Sequence, residues 1–173
     1  GLGKEMAKIL SEQEIELVLV AREQQKLEEV QKELKTKTQI ICMDLSLAEN
    51  CVELYKQVGD IDILINNAGF GTCGEFIETD LITELNMINT NVCAVHTLTK
   101  LFLQDMCKKN SGYILNVASI AGFMPGPLMA TYYSSKAYVV RLSEAIREEL
   151  RRKNSNVKLS ILCPGPVNTN FNN

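Results

Sequence analysis

The sequence predicts an α/β fold, a doubly wound parallel sheet with helices on both faces. Short apolar runs alternate along the chain with longer segments in which apolar residues recur every three or four positions. The short runs are continuously apolar, as expected for strands covered on both faces. Regular alternation of the two kinds of element favours a three-layer sandwich. We expect one such domain over residues 1–173.

The elements follow from these two patterns, taken in chain order. A short helix is predicted where Met6 and Leu10 lie one turn apart, and a longer amphipathic helix where Leu27 and Leu34 face inward. The five predicted strands are Leu17–Val20, Ile40–Met43, Ile61–Ile65, Tyr113–Val117 and Val157–Cys163. The five predicted helices are Lys4–Leu10, Glu23–Lys35, a segment through Cys51, Tyr55 and Val58, and the two long helices Ile88–Met106 and Tyr132–Leu150.

Composition excludes several classes of function. The net charge of −3 gives no reason to expect nucleic acid or an anionic membrane as a partner. No apolar run approaches the ~18 residues of a membrane span. Six scattered cysteines without a Cys-x-x-Cys pair are typical of reduced thiols, so we expect a cytoplasmic protein. A single histidine, His96, argues against a histidine-rich metal site, and we expect none.

The pentapeptide Tyr132–Lys136 contains a candidate acid–base pair. Tyr132 and Lys136 are four residues apart and lie on one helix face, whereas Tyr133 points about 100° away. A positive charge near a phenol favours the phenolate and lowers its pKa, which would make the tyrosine a useful general acid or base. An ordinary helix with a buried ring and a surface lysine has the same pattern, so neighbouring motifs must decide.

Polar and small residues follow three of the predicted strands. They are Asn66-Asn67-Ala68-Gly69, Asn116-Val117-Ala118-Ser119 and Pro164-Gly165-Pro166-Val167-Asn168-Thr169. In a parallel α/β sheet, ligands bind outside the carboxyl ends of the strands. The shared position of these motifs predicts a single site at that edge.

Together these motifs resemble the short-chain dehydrogenase/reductase family, whose pattern is Asn-Asn-Ala-Gly, a serine about a dozen residues before Tyr-x-x-x-Lys, and Pro-Gly after the next strand. The residues in and around these motifs are most similar to those of the bacterial branch of DltE-type oxidoreductases. The resemblance implies a Rossmann-like fold. The family's Thr-Gly-x-x-x-Gly-x-Gly loop is matched only at its tail, by Gly1-Leu2-Gly3. We therefore expect the first, central strand and the C-terminal lid to be missing from these 173 residues, as part of a longer protein.

The resemblance also implies a nicotinamide cofactor. Glycines at a helix start admit a pyrophosphate, and Ala21-Arg22 after the first strand lacks the carboxylate that would select NAD. A guanidinium can bind a 2′-phosphate in two places, so we expect NADP, with NAD less likely. The expected cofactor-binding residues are Gly1, Leu2, Gly3, Arg22, Asp44, Leu45, Asn67, Ala68, Gly69, Tyr132, Lys136, Pro164, Gly165, Val167 and Thr169.

The implied reaction is hydride transfer between the nicotinamide and a carbonyl or secondary alcohol. In it Tyr132 exchanges the proton, Ser119 orients the carbonyl and Lys136 lowers the tyrosine pKa. Asn91 would either order a water molecule beside the lysine or have a purely structural role. The uncharged segment 122–129 predicts an apolar wall and a neutral substrate, although packing against a partner subunit would look the same.

Other functions fit the sequence less well. A serine hydrolase needs a Gly-x-Ser-x-Gly elbow, which is absent around Ser119. An enoyl reductase of this fold would need a tyrosine where the chain has Met129. A catalytically silent NADP-binding sensor or scaffold protein remains the alternative. By analogy with the family, we expect a homodimer or homotetramer that pairs through the two long helices.

Overall fold

The computed structural model describes residues 1–166, a Rossmann-like α/β fold with parallel strands. The strands are β1 (Leu17–Ala21), β2 (Thr38–Cys42), β3 (Ile63–Asn66), β4 (Tyr113–Val117) and β5 (Lys158–Leu162). The helices are α1 (Leu2–Glu12), α2 (Gln24–Glu33), α3 (Ala48–Val58), α4 (Leu81–Ile88), α5 (Val95–Lys109) and α6 (Ala130–Arg152). A π-helical turn (Asn89–Ala94) joins α4 to α5, and a 3-10 turn (Ile120–Phe123) follows β4.

The strands form two parallel sheets, β1–β2 and β3–β4–β5. Their registers align the carboxyl ends, with Ala21 opposite Cys42 in the first sheet and Asn66 opposite Asn116 in the second. The predicted fold class is therefore confirmed. Within residues 1–166, β1 and β3 are each paired on one side only, the position at which the sequence led us to expect a missing central strand.

One apolar core joins the two sheets. Ile41 of β2 belongs to the same buried cluster as Leu64 of β3 and Ile114 of β4. The α5 side chain Phe102 is 4% exposed and meets the ring of Tyr55 edge-on, with ring centroids 5.2 Å apart. Burial of such rings and branched side chains supplies most of the free energy that stabilises the fold.

The long helix predicted from Ile88 to Met106 is interrupted in the structure. Six residues, Asn89–Ala94, adopt a π-helical turn, which contains more residues per turn than an α-helix and so shifts the phase of the apolar stripe. Ile88, the first residue of the predicted helix, is 37% exposed, and Met87 is fully buried. A spacing of three and four residues extended back through this turn would therefore bury the wrong residue at its start.

The helix α4 was not predicted. Its start is fixed by Asp80, whose carboxylate accepts hydrogen bonds from the Thr83 amide at 2.8 Å and the Thr83 hydroxyl at 2.7 Å. These hydrogen bonds hold the pKa of Asp80 below its usual value. Over residues 1–166, no helix is long and apolar enough to cross a membrane. The same residues contain no cluster of three His, Cys, Asp or Glu side chains that could bind a metal ion.

Candidate active site

The site forms where the end of β4 meets the first turns of α6. Ser119 follows β4 and caps the 3-10 turn, with its hydroxyl accepting a hydrogen bond from the Ala121 amide at 3.1 Å. Tyr132 lies in the first turn of α6, and Lys136 follows one turn later. The structure thus brings together Ser119, Tyr132 and Lys136, the three side chains that the sequence motifs predicted to form the site.

The Tyr132 phenol lies within hydrogen-bonding reach of the Ser119 hydroxyl. Burial raises the pKa of Tyr132, and the hydrogen bond with Ser119 opposes that rise without cancelling it. The phenol therefore keeps its proton at neutral pH. The neighbouring Tyr133 ring lies over Gly126, where a Cβ would come within 2.4 Å of the ring.

Lys136 is a buried cation below the tyrosine. Lys136 is only 4% exposed, and its Nζ donates a hydrogen bond to the Val117 carbonyl at 3.1 Å. Burial lowers the pKa of Lys136 to about 8. Nζ lies 5.9 Å from the centroid of the Tyr132 ring.

The expected net lowering of the Tyr132 pKa is not observed, because burial outweighs the effect expected of Lys136. The sequence led us to expect that the lysine lowers the pKa of Tyr132, but desolvation dominates and the pKa of Tyr132 rises. The Lys136 ammonium donates to the backbone of Val117, and burial lowers the pKa of the ammonium to about 8. In this structure the two side chains share a face, as predicted, without the phenol becoming more acidic.

Asn91 lies in the π-helical turn and is completely buried. Its Nδ2 donates hydrogen bonds to the Phe70 carbonyl at 2.9 Å and to Ser135 Oγ at 3.0 Å, and its Oδ1 accepts from the Phe70 amide at 3.1 Å. Gly69 allows this close approach, because a Cβ there would lie 2.9 Å from Asn91 Oδ1 and 3.3 Å from Lys136 Nζ. Asn91 therefore ties the loop after β3 to α6.

The turn after β5 is attached to the same site. The Pro164 carbonyl accepts hydrogen bonds from the Ile120 amide at 3.1 Å and from Ser119 Oγ at 3.4 Å. Gly165 follows and is exposed. Two of the residues expected to bind the cofactor, Val167 and Thr169, lie outside the described residues.

On the other side of the site, the loop after β3 meets the start of α1. A Cβ on Gly3 would lie 2.7 Å from Asn67 Nδ2, so only glycine fits there without displacing the asparagine. Gly1 caps α1 without a side-chain hydrogen bond. Ala68 is exposed beside Asn67, and Leu2 is half-buried in the first turn of the helix.

At the ends of β1 and β2, Arg22 is exposed and forms no ion pair within residues 1–166. Asp44 accepts a hydrogen bond from the Ser46 amide at 2.9 Å, which lowers the pKa of Asp44, with a smaller contribution from the charge of Arg22. The Leu45 side chain packs against the apolar core. Arg22 is thus the most available of these three side chains for an anionic ligand.

A buried polar network beneath the site was missed in the sequence. Asn66 Nδ2 donates to Asn116 Oδ1 at 2.8 Å and to Thr99 Oγ1 at 3.0 Å, and Asn116 Nδ2 donates to Ser143 Oγ at 2.9 Å. All four residues are buried. Polar residues on otherwise apolar helix stripes were the available signal, since a buried polar group needs a partner.

Comparison with known proteins places this geometry in context. The family model described as "short chain dehydrogenase" matches residues 1–173. An uncharacterized oxidoreductase of Staphylococcus epidermidis is 31% identical over 173 residues, which cover 98% of this chain and 74% of that protein. Neither finding singles out the DltE-type branch, which stays a prediction.

Two solved structures are also similar to this chain. A short-chain dehydrogenase/reductase from Burkholderia phymatum in complex with NAD superimposes with a TM-score of 0.91 at 28% identity, covering 99% of this chain and 64% of that one. A metagenomic short-chain oxidoreductase in complex with NADP gives a TM-score of 0.86 at 29% identity, covering 96% and 78%. The two structures hold different nicotinamide cofactors.

Proposed function

The chain belongs to the short-chain dehydrogenase/reductase family, and on that basis we propose that it is an NADP(H)-dependent oxidoreductase acting on a carbonyl or secondary alcohol. The observation that carries the proposal is the grouping of the Tyr132 phenol, the Ser119 hydroxyl and the buried Lys136 ammonium in one place. When bound, a reduced nicotinamide supplies the hydride that adds to the carbonyl carbon.

Tyr132 and Ser119 act on the carbonyl oxygen. Because the two hydroxyls are already within reach of each other, one oxygen placed between them can accept a hydrogen bond from both. Tyr132 then gives its proton to that oxygen, while Ser119 holds the substrate in register. Burial favours the protonated phenol, which is the form that gives its proton during carbonyl reduction.

Lys136 and Asn91 support this pair. The ammonium, 5.9 Å from the phenol ring, offsets the negative charge left on Tyr132 after it gives up its proton. Asn91 fixes the loop that carries Gly69 against α6 and so keeps the lysine in place. We assign Asn91 a positioning role.

The residues present fit the proposed cofactor. The amides at the start of α1 are not capped by a side chain, and such amides suit a phosphate. Gly3 lets the Asn67 side chain approach the first turn of α1, because a Cβ on Gly3 would lie 2.7 Å from Asn67 Nδ2. Arg22, exposed at the end of β1, provides a cation for a 2′-phosphate, and the Pro164–Gly165 turn borders the Ser119 side of the site.

Substitution of Tyr132 by Phe tests the chemistry. We expect Tyr132→Phe to reduce carbonyl-dependent NADPH oxidation by at least about 100-fold, because the ring stays and only the proton donor is lost. Tyr133→Phe is the matched control and should retain turnover, since that ring lies over Gly126. Binding of NADPH should survive both changes. Equal turnover in the two variants would refute the assignment, and NADPH binding without turnover of any carbonyl would favour a sensor.

Substitution of Arg22 by Ala tests the cofactor. Hydrogen bonds to charged groups contribute about 1.5–3 kcal/mol, so Arg22→Ala should weaken NADP binding about 10- to 100-fold and leave NAD binding nearly unchanged. Lys26→Ala is the control, because Lys26 is an exposed cation nearby that pairs with Glu23 at 2.8 Å. Calorimetric titration measures both. Tighter binding of NAD than of NADP by the unaltered protein would contradict the proposal.

We further propose, as the sequence led us to expect, that the protein assembles from identical subunits through α5 and α6. The two helices expose neighbouring polar groups, with His96 Nδ1 2.8 Å from the Tyr138 hydroxyl. Sedimentation velocity tests this pairing. A monomer over the whole concentration range would exclude it.

A further inference from the structure

A chain of buried hydrogen bonds ends at the backbone of Tyr132. Asn91 Nδ2 donates to Ser135 Oγ at 3.0 Å, and Ser135 Oγ donates to the Tyr132 carbonyl at 2.7 Å. Asn91 is completely buried and Ser135 is 3% exposed. Because both side chains are buried, each depends on partners within the protein to satisfy its polar groups.

Phe70 fixes the direction of the hydrogen bonds in this chain. Its amide can only donate and faces Asn91 Oδ1, whereas its carbonyl can only accept and faces Asn91 Nδ2. Nδ2 therefore directs its second hydrogen to Ser135 Oγ. The serine hydroxyl has one hydrogen, and because Asn91 donates to that oxygen, the hydrogen points to the Tyr132 carbonyl.

The hydrogen bond from Ser135 acts on the first turn of α6. A serine hydroxyl that bonds the carbonyl three residues earlier shares an acceptor with the helix, and bonds of this kind often bend a helix. The N-cap residue of α6, Met129, makes no side-chain hydrogen bond to the turn that contains Tyr132. Ser135 therefore gives this turn an anchor that its N-cap does not provide.

We propose that Ser135, fixed by Asn91, is a positioning residue that holds the first turn of α6 so that the Tyr132 phenol stays within reach of the Ser119 hydroxyl. This inference rests on the proposed function, in which those two hydroxyls bind one carbonyl oxygen. The Ser135 hydroxyl is engaged with Asn91 and Tyr132, so it acts through Tyr132 and not on the substrate.

Ser135→Ala tests the inference. Alanine is the best helix former, so α6 should persist in this variant. Because a displacement of about 1 Å can cost on the order of 100-fold in rate, we expect kcat for carbonyl reduction to fall at least about 10-fold. The Kd of NADPH, measured by calorimetry, should change less than kcat. Ser135→Thr keeps a hydroxyl that can bond the same carbonyl, so its kcat should stay within about threefold of the unaltered protein.

Two other serines of α6 provide matched controls. Ser143→Ala also removes a buried serine that accepts from an asparagine amide, here Asn116 Nδ2 at 2.9 Å, but about two turns beyond Ser135. It should lose as much stability in urea denaturation as Ser135→Ala and keep its kcat within about twofold. Ser134→Ala changes an exposed neighbour and should alter neither quantity.

The chain of hydrogen bonds also predicts that Asn91 and Ser135 act as one unit. Asn91→Ala and Ser135→Ala each break the chain, so the double variant should lose no more kcat than the worse of the single variants. Losses that multiply would overturn the inference. Equal losses of kcat in Ser135→Ala and Ser143→Ala, or in Ser135→Ala and Ser135→Thr, would overturn it as well.

NMR of protein isotopically labelled at tyrosine Cζ gives a readout that needs no turnover. The Tyr132 resonance, assigned with Tyr132→Phe, responds to hydrogen bonding at the phenol, so it should move in Ser135→Ala and stay in place in Ser143→Ala. If it moves but the unaltered protein reduces no carbonyl, the positioning role is supported and the proposed oxidoreductase activity is refuted. If Ser135→Ala changes neither the resonance nor turnover, the positioning role is refuted and the oxidoreductase activity stands.

Discussion

Replacing Lys136 by Met should change how the stability of the protein depends on pH. The ammonium is almost completely buried, and burial lowers its pKa from 10.5 to about 8. Because one pKa unit corresponds to 1.36 kcal/mol, the charged lysine costs the folded state about 3 kcal/mol relative to the unfolded chain.

The sign of the pH dependence follows from the lowered pKa. Between about pH 8 and pH 10.5 the unfolded chain binds more protons than the folded one, so the stability of the folded state rises with pH. The lysine's contribution is complete above the unfolded pKa and is lost as the pH falls through the folded pKa. Integrated from about pH 7 to about pH 9.5, the gain is about 2 kcal/mol.

Urea denaturation of the unaltered protein and Lys136→Met at these two pH values measures the gain. Other titrating groups are common to both proteins, so their contributions largely cancel in the difference. We expect the unaltered protein to gain about 2 kcal/mol relative to the variant on going to the higher pH. Lys100→Met is the control, because Lys100 is exposed and has no burial cost to relieve. A difference below about 0.5 kcal/mol would refute the reasoning.

Two further substitutions test the packing around the lysine. Gly69→Ala should destabilise the protein by about 1–3 kcal/mol, because its Cβ would lie 2.9 Å from Asn91 Oδ1. Gly165→Ala, whose Cβ would have no neighbour closer than 3.8 Å, should leave the melting temperature nearly unchanged, and an equal loss in both would contradict this. Asn91→Ala should cost about 3 kcal/mol in urea denaturation, since it leaves Phe70 and Ser135 groups unpaired inside the protein. If Asn91→Ala has the same free energy of unfolding as the unaltered protein, the hydrogen bonds of Asn91 do not stabilise the fold.

Local patterns were sufficient to predict the strands and the grouping of the site. Tyr113–Val117 was predicted with its observed bounds, because a continuous apolar run between two turns has few other solutions. The motifs ending in Gly69 and Ser119 were predicted to share a site because parallel strands end at one edge of the sheet, and the resemblance to the family implied that Tyr132 joins them.

Features that depend on contacts distant in sequence were not predicted. The phase change at Asn89–Ala94 depends on the hydrogen bonds that Asn91 makes with Phe70 and Ser135, which are 21 and 44 residues away. The pKa of Tyr132 was predicted in the wrong direction, because the spacing of two residues on a helix says nothing of how deeply the fold buries them. The π-helical turn and this pKa are therefore both properties of the assembled tertiary structure.

The π-helical turn also restricts how the chain can vary in length. Deleting one residue between Asn89 and Ala94 would let the backbone relax into an uninterrupted α-helix, which by itself is the more favourable hydrogen-bonding pattern. Because a π-helical turn contains more residues, the six residues Asn89–Ala94 and an α-helix one residue shorter rotate the chain by nearly the same angle, so α4 and α5 would keep their buried faces. The deletion would instead move Asn91 out of reach of Phe70 and Ser135, so its cost would fall on these hydrogen bonds rather than on the packing of the two helices.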